Sequence, residues 1–239
     1  MCGSVPTETR TTMALEKDSP NRILTDYEVA RALKELPSWR ERDGALVCAW
    51  AFADTRDAID FLALVAEAAE HQGHHPDVDW RATTIFLRST SHDVGDEITL
   101  RDVALATLLE FAATDSGAVA VPNRHQDLRL GFETGDPERL SEFWAGAMGY
   151  SVGRDEDLVD PEGRNPRIRI SSAGNPQEHG IHVERLIAHS SLEDARQKLE
   201  QAQTSGAPVH GPTGSRYTDA DGNRLYLDTE YREETPEFQ

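Results

Sequence analysis

Residues 115–126, Asp-Ser-Gly-Ala-Val-Ala-Val-Pro-Asn-Arg-His-Gln, constrain the fold most, because small and turn-forming residues without amphipathic order break the chain in its middle. Apolar residues recur with helical and strand periods on both sides, which predicts one domain over 23–114 and a second over 127–232 joined by this linker. Residues 1–22 and 233–239 have no periodic apolar positions and read as tails that cannot bury enough surface to offset their ordering entropy. With 38% hydrophobic and 28% charged residues, the 239-residue chain has the material for two soluble cores.

In the first block, Thr25-Asp26 caps an amphipathic helix carrying Val29, Leu33 and Leu36, with Pro37 as its stop and Trp39 anchoring the exit. Ala45–Phe52 reads as a strand. Asp54-Thr55 opens a helix to about Glu70, with Ala58, Phe61, Leu62 and Val65 on its buried face. Trp80–Arg88 reads as one strand, and Thr99–Ala113 closes the block as a helix, giving the order α-β-α-β-α. The second block opens with strand Leu128–Phe132, then a helix started by Asp136-Pro137-Glu138, carrying Leu140, Phe143, Trp144 and Met148 as core and stopped by Gly149. Strands Tyr150–Val152 and Arg167–Ile170 follow. A strand at Ile181–Leu186, a helix from Ser191 ended by Gly206, and strands near Val209, Tyr217 and Leu225–Leu227 repeat that order, so the block is an internal βαβββ repeat. Asp155-Glu156-Asp157 reads as a solvated loop.

A formal charge of −19 opposes binding to phosphate backbones and anionic membranes, and no apolar run approaches the roughly 20 residues a spanning helix needs. The N-terminus lacks the basic and apolar stretches of a secretion signal, which predicts a cytoplasmic protein with neither nucleic acid nor membrane as partner. Cys2 in the tail and Cys48 in a strand offer no disulfide framework. Chemistry is instead concentrated in His74-His75-Pro76, just after the second helix, and His92, after the following strand. Imidazole moves protons near neutral pH, so three of them on two short loops predict an acid/base or metal pocket at one end of a sheet. Zinc ranks below acid/base work, since adjacent histidines seldom both reach one ion. His71, His125, His179, His189 and His210 read as ordinary polar positions.

Glu70-x-x-x-His74-His75-Pro76, Ser91-His92-Asp93 and Thr99-x-x-Asp102-x-x-Leu105-Ala106 resemble the pterin-4a-carbinolamine dehydratases over residues 23 to 113. The resemblance implies an α+β domain of α-β-α-β-β-α type, with helices on one face of a four-stranded antiparallel sheet, assembled as dimers or tetramers. It implies a lyase that dehydrates 4a-hydroxytetrahydropterin, with a pterin-like substrate and no metal or organic cofactor. His74 and His92 carry the acid/base work by this resemblance and His75 holds the substrate. Glu70, Asp93, Pro76 and Trp80 surround it, with Asp93 placed to orient His92. The chain departs from the family at Ala82, where an aromatic is usual, and at Gly95-Asp96-Glu97-Ile98-Thr99, one residue longer than the usual Gly-Gly-Leu-Thr and richer in acid. A non-catalytic pterin-binding or regulatory protein on the same scaffold is the alternative.

Gly135–Trp144, Ile181-His182-Val183-Glu184 and Asp219–Tyr226 resemble the vicinal oxygen chelate superfamily of glyoxalase and bleomycin-resistance proteins. Its metal-dependent members set ligands on four strands. His182, Glu133 and Asp228 fall on three, but Arg167–Ile170 offers no acid for the fourth, which favours a metal-free binding or assembly domain over a metal-dependent lyase, isomerase or dioxygenase.

Overall fold

The computed structural model describes residues 19–153, 155–172, 180–201, 207–218 and 223–229, and the chain separates into two compact units, 1–122 and 123–239. Residues 1–18 of the expected tail with Cys2, His179, Gly206, residues 219–222 and the tail 233–239 lie outside the described residues.

In the first unit, α1 (Asp26–Leu33) starts at a capping box in which Thr25 and Glu28 satisfy each other's backbone N–H groups. A hairpin of β1 (Arg40–Arg42) and β2 (Ala45–Ala51) follows, turned by Asp43 and Gly44 with φ of 48° and 73°. That left-handed pair is the turn chemistry a two-residue hairpin needs, and β1, absent from the sequence reading, is the strand it creates. Helix α2 (Thr55–Gln72) is capped by Asp54, whose carboxylate accepts from the amides of Arg56 and Asp57. The stretch expected as one strand is a hairpin of β3 (Asp77–Arg81) and β4 (Thr84–Ser89). Its turn includes Ala82 at φ 52°, so the position compared with a family aromatic lies outside both strands. Without Gly or Asn the turn leaves no mark in the apolar pattern.

Helix α3 (Leu100–Asp115) closes the layer, and β5 (Val119–Ala120) pairs with Trp50 and Ala51 of β2. Part of the expected linker is therefore a strand of the first unit, too short to show a period. The sheet runs β1-β2-β4-β3, antiparallel throughout. Cys48, Trp50, Ile85 and Leu87 turn one face of it onto Phe61 and Val65 of α2 and Leu105 and Leu109 of α3. Trp50 sits edge-on between Trp39 and Phe61 at centroid distances of 5.5 Å. The α+β architecture with helices on one sheet face is the one anticipated, with β5 as a fifth strand beyond the four expected.

The second unit repeats strand, helix and three strands: β6 (Asp127–Thr134), α4 (Pro137–Met148), β7 (Ser151–Val152), β8 (Leu158–Val159) and β9 (Arg167–Ser172). Then come β10 (Gly180–Ile187), α5 (Leu192–Glu200), β11 (Val209–His210), β12 (Gly214–Thr218) and β13 (Arg224–Thr229). One sheet, β11-β12-β13-β10-β6-β9-β8-β7, joins the halves through the antiparallel β6–β10 pair, and each half has one parallel pair, β6–β9 or β10–β13. This is the paired βαβββ order expected. Each helix covers its own small core: Phe132, Tyr150, Leu158 and Ile168 with Trp144 under α4, and Ile187, Leu192, Ala195, Tyr217 and Leu227 at α5. Phe143 and Met148, expected in the core, are exposed: Phe143 because consecutive helical residues such as Phe143 and Trp144 cannot share a face, and Met148 at the last position of α4.

Candidate active site

Gly73, left-handed at φ 58°, ends α2 and turns the chain so that the amide of His74 donates to Ala69 O at 3.1 Å. The turn sends the His74 ring inward, where it is 6% exposed, and leaves His75 outside. His74 Nε2 lies 2.7 Å from Oδ1 of Asp102, a fully buried residue in the first turn of α3. Ser89 Oγ donates to the same oxygen at 2.7 Å, while Oδ2 accepts from Ser91 Oγ and Thr99 N at 2.8 Å and from Thr99 Oγ1 at 3.0 Å. Ser89 and Ser91 reach one carboxylate because residues two apart on an extended segment point the same way.

Asp102 thus completes the capping box of α3 and anchors His74 with one side chain. Burial pushes its pKa up, but the hydrogen bonds from Thr99, His74, Ser89 and Ser91 outweigh that and hold it below the usual carboxylate value. An ionised carboxylate only accepts, so the network assigns a proton to His74 Nε2 and, in the neutral ring, the lone pair to Nδ1.

His75 and Glu70 are both exposed, with His75 Nε2 at 3.3 Å from Glu70 Oε1. His92 begins a single 3-10 turn, His92–Val94, one residue beyond Ser91. Its Nδ1 lies 2.7 Å from Asp96 Oδ1. Asp93 does not orient it, contrary to the sequence expectation: the Arg101 guanidinium binds Asp93 and holds its carboxyl below the usual range. Pro76 leads into edge strand β3, where its missing N–H leaves no gap in a ladder. Trp80 lies at the far end of β3, roughly 13 Å from Pro76 at the usual strand rise, and its Nε1 donates to Ala82 O.

A hydrogen-bonded path therefore runs from His74 through Asp102 to Ser91, next to His92. In the sequence Asp102 stands only as the fourth position of Thr99-x-x-Asp102. Its spacing carried the signal for a helix cap and none for the histidine it meets in space. Ser91 and Asp96 likewise stand in the motif and its loop without a sign of their partners, and Ser89 carries no signal of its own.

In the second unit, His182 Nε2 lies 3.0 Å from Glu184 Oε1 and its ring stacks at 4.3 Å on Tyr226. Arg129 binds Glu184 at 3.0 Å and Asp157 at 3.0 Å, and Arg169 binds Asp157 at 3.0 Å. Asp157, read as part of a solvated loop, is therefore buried inside an ion network. Glu133 pairs with Arg224 at 3.0 Å, and burial together with the Glu184 carboxylate pushes Asp228 up. Among the described residues no three His, Cys, Asp or Glu side chains gather as a metal site, and guanidinium groups pair with Glu133, Glu184 and Asp157.

The family description "Pterin 4 alpha carbinolamine dehydratase" matches residues 22–112, and that of a glyoxalase-like domain matches 129–227. A Thermomicrobium roseum protein provisionally named pterin-4-alpha-carbinolamine dehydratase is 42% identical over 91 residues, covering 38% of this chain and 97% of that one. A Mycolicibacterium vanbaalenii protein of the same provisional name is 42% identical over 84 residues, covering 35% and 89%. A crystal structure of a transcriptional coactivator/pterin dehydratase from Brucella melitensis is 27% identical, covers 38% of this chain and 98% of that one, and superposes with a TM-score of 0.37. The chain belongs to the pterin-4a-carbinolamine dehydratase family through its first unit. A glyoxalase-like domain follows.

Proposed function

We propose that the first unit is a 4a-hydroxytetrahydropterin dehydratase, a hydro-lyase working by histidine acid/base catalysis without a cofactor. The observation that carries this reading is the family's paired-histidine motif with His74 locked by a buried carboxylate, an arrangement that holds one ring nitrogen in a defined protonation state. In the reaction a base takes the proton from N5, the C4a–O bond breaks, C4a=N5 forms, and an acid protonates the departing oxygen to give water. His74 and His92 exchange these protons in this reading, and His75, steadied by Glu70, holds and polarises the substrate. Pro76 borders the pterin, Asp93 contributes to the rim through Arg101, and Trp80, at the turn end of β3, stands away from it.

In this reading the second unit serves binding or assembly without a metal, the protein is cytoplasmic, and it works as a homo-oligomer, the last on the expectation drawn from the family. Its net charge of −19 speaks against nucleic acid and anionic membranes, and among the described residues no helix is long and apolar enough to cross a membrane.

Stopped-flow dehydration of a 4a-hydroxytetrahydropterin by wild type, His74→Ala and His92→Ala tests the reading. Loss of a general acid or base is expected to slow turnover by about 100-fold or more. Equal rates in all three would overturn it, and tight pterin binding without turnover by the wild type would mark a sensor instead.

A further inference from the structure

We propose that Asp96 is the positioning residue of His92, deciding which ring nitrogen faces the substrate; the inference rests on the dehydratase reading and deepens it. The loop is built for this contact. The 3-10 turn from His92 ends at Gly95 with φ 85°, and Asp96 itself adopts φ 60°, so two successive left-handed residues reverse the chain. The reversal brings the amide of Ser91 to Glu97 O at 3.0 Å, closing the loop as an isolated antiparallel bridge. Closure carries the Asp96 side chain back to His92, 2.7 Å from Nδ1. Aspartate is among the few side chains that tolerate left-handed backbone, so one residue meets both the conformational and the chemical demand.

The neighbouring acid is not a competitor, because Asp93 is bound by Arg101. Asp102 is enclosed by His74, Ser89, Ser91 and Thr99. An ionised Asp96 can only accept, so His92 carries hydrogen on Nδ1 and presents Nε2 outward. The neutral ring then offers the Nε2 lone pair and the imidazolium offers Nε2–H, so a single nitrogen takes or returns the proton. Without Asp96 the neutral ring divides between two tautomers and turns more freely, which lowers the productive fraction without touching substrate affinity.

The test uses the full chain as wild type, Asp96→Gly and Asp96→Asn. Glycine relaxes the left-handed backbone while removing the acceptor, and asparagine keeps both the backbone preference and an acceptor oxygen. Imidazole 15N spectra at pH 8 are expected to show His92 as the Nδ1–H tautomer in wild type and as a mixture in Asp96→Gly, with Asp96→Asn recovering most of the wild-type pattern. On 4a-hydroxytetrahydropterin, Asp96→Gly is expected to lower kcat about fivefold, the scale of one hydrogen bond, with KM within twofold. An unchanged His92 tautomer in Asp96→Gly, or a kcat within twofold of wild type, would overturn the assignment. If the wild type does not turn the pterin over, the dehydratase reading fails, and the tautomer spectra still decide the role of Asp96.

Discussion

Removing the carboxylate of Asp102 is the sharpest perturbation of the first unit. Its two oxygens meet five donor atoms: His74 Nε2, Ser89 Oγ, Ser91 Oγ, Thr99 N and Thr99 Oγ1, at 2.7 to 3.0 Å. In Asp102→Ala the helix cap costs about 1 kcal/mol, and the buried His74 donor, which cannot rotate away, costs about 1–3 kcal/mol. The hydroxyls can turn toward one another, as Ser91 Oγ and Thr99 Oγ1 already lie 2.8 Å apart, so they add little. The expected loss is about 2–4 kcal/mol, the sum of the cap and the stranded donor. Such a loss is a large part of the stability of an ordinary domain, so Asp102→Asn, which keeps the volume and one acceptor, is the practical variant, at about 2 kcal/mol. Urea unfolding followed by the fluorescence of the buried Trp39 and Trp50 reads the first unit. The pH dependence supplies an independent check. Because the folded state holds Asp102 below its ordinary pKa, its contribution is complete above the unfolded value near pH 4 and disappears as pH falls through the lower folded value. The gap between wild type and Asp102→Asn should therefore be full at pH 6 and narrow below about pH 4. A gap under about 0.5 kcal/mol at pH 6, or one that does not narrow in acid, would refute the account of a buried, hydrogen-bonded carboxylate.

Two predictions concern the second unit. A Cβ on Gly131 would sit 2.0 Å from His182 Nε2, so Gly131→Ala must displace the ring; a loss of about 1–3 kcal/mol in the second unfolding transition is expected, with a shifted His182 NMR signal, and an unmoved ring would contradict the packing. Asp228 has its pKa raised by burial and by Glu184, so its ionised form opposes folding above the ordinary aspartate value. Asp228→Asn should raise the Tm of the second unit at pH 7, and the gain should vanish below about pH 4, where the carboxyl is protonated in both states; a lower Tm at pH 7 would show the charge to be stabilising.

Local chemistry was legible in the sequence where short-range rules suffice. Thr25, Asp54, Thr99 and Asp136 announce helix starts because a capping side chain bonds amides two or three residues ahead. Gly149 announces a stop because it supplies the left-handed turn beyond α4. The apolar spacing of Ala58, Phe61 and Val65 placed the buried face of α2, and the repeated strand and helix order disclosed the paired βαβββ unit before any contact was known. The motif histidines could likewise be picked out, since their spacing matches a family pattern.

Their partners could not. Asp93 and Asp96 follow His92 by one and four residues, both within reach in sequence, and the positive φ of Gly95 and Asp96, with Arg101 reaching back from α3, assigns the histidine to one and the guanidinium to the other. Asp157 lies in a run of acids that reads as solvated until β6 and β9 bring Arg129 and Arg169 beside it. Strands β1 and β5 are too short to show a period, and pairing with β2 is what makes them strands. The amino-acid sequence by itself determined the caps, the periodic faces and the identity of the motif residues, all set by interactions within a turn or two of backbone. The tertiary structure alone decided which carboxylate each imidazole or guanidinium meets, because those pairs are joined by strand pairing and loop closure across the chain.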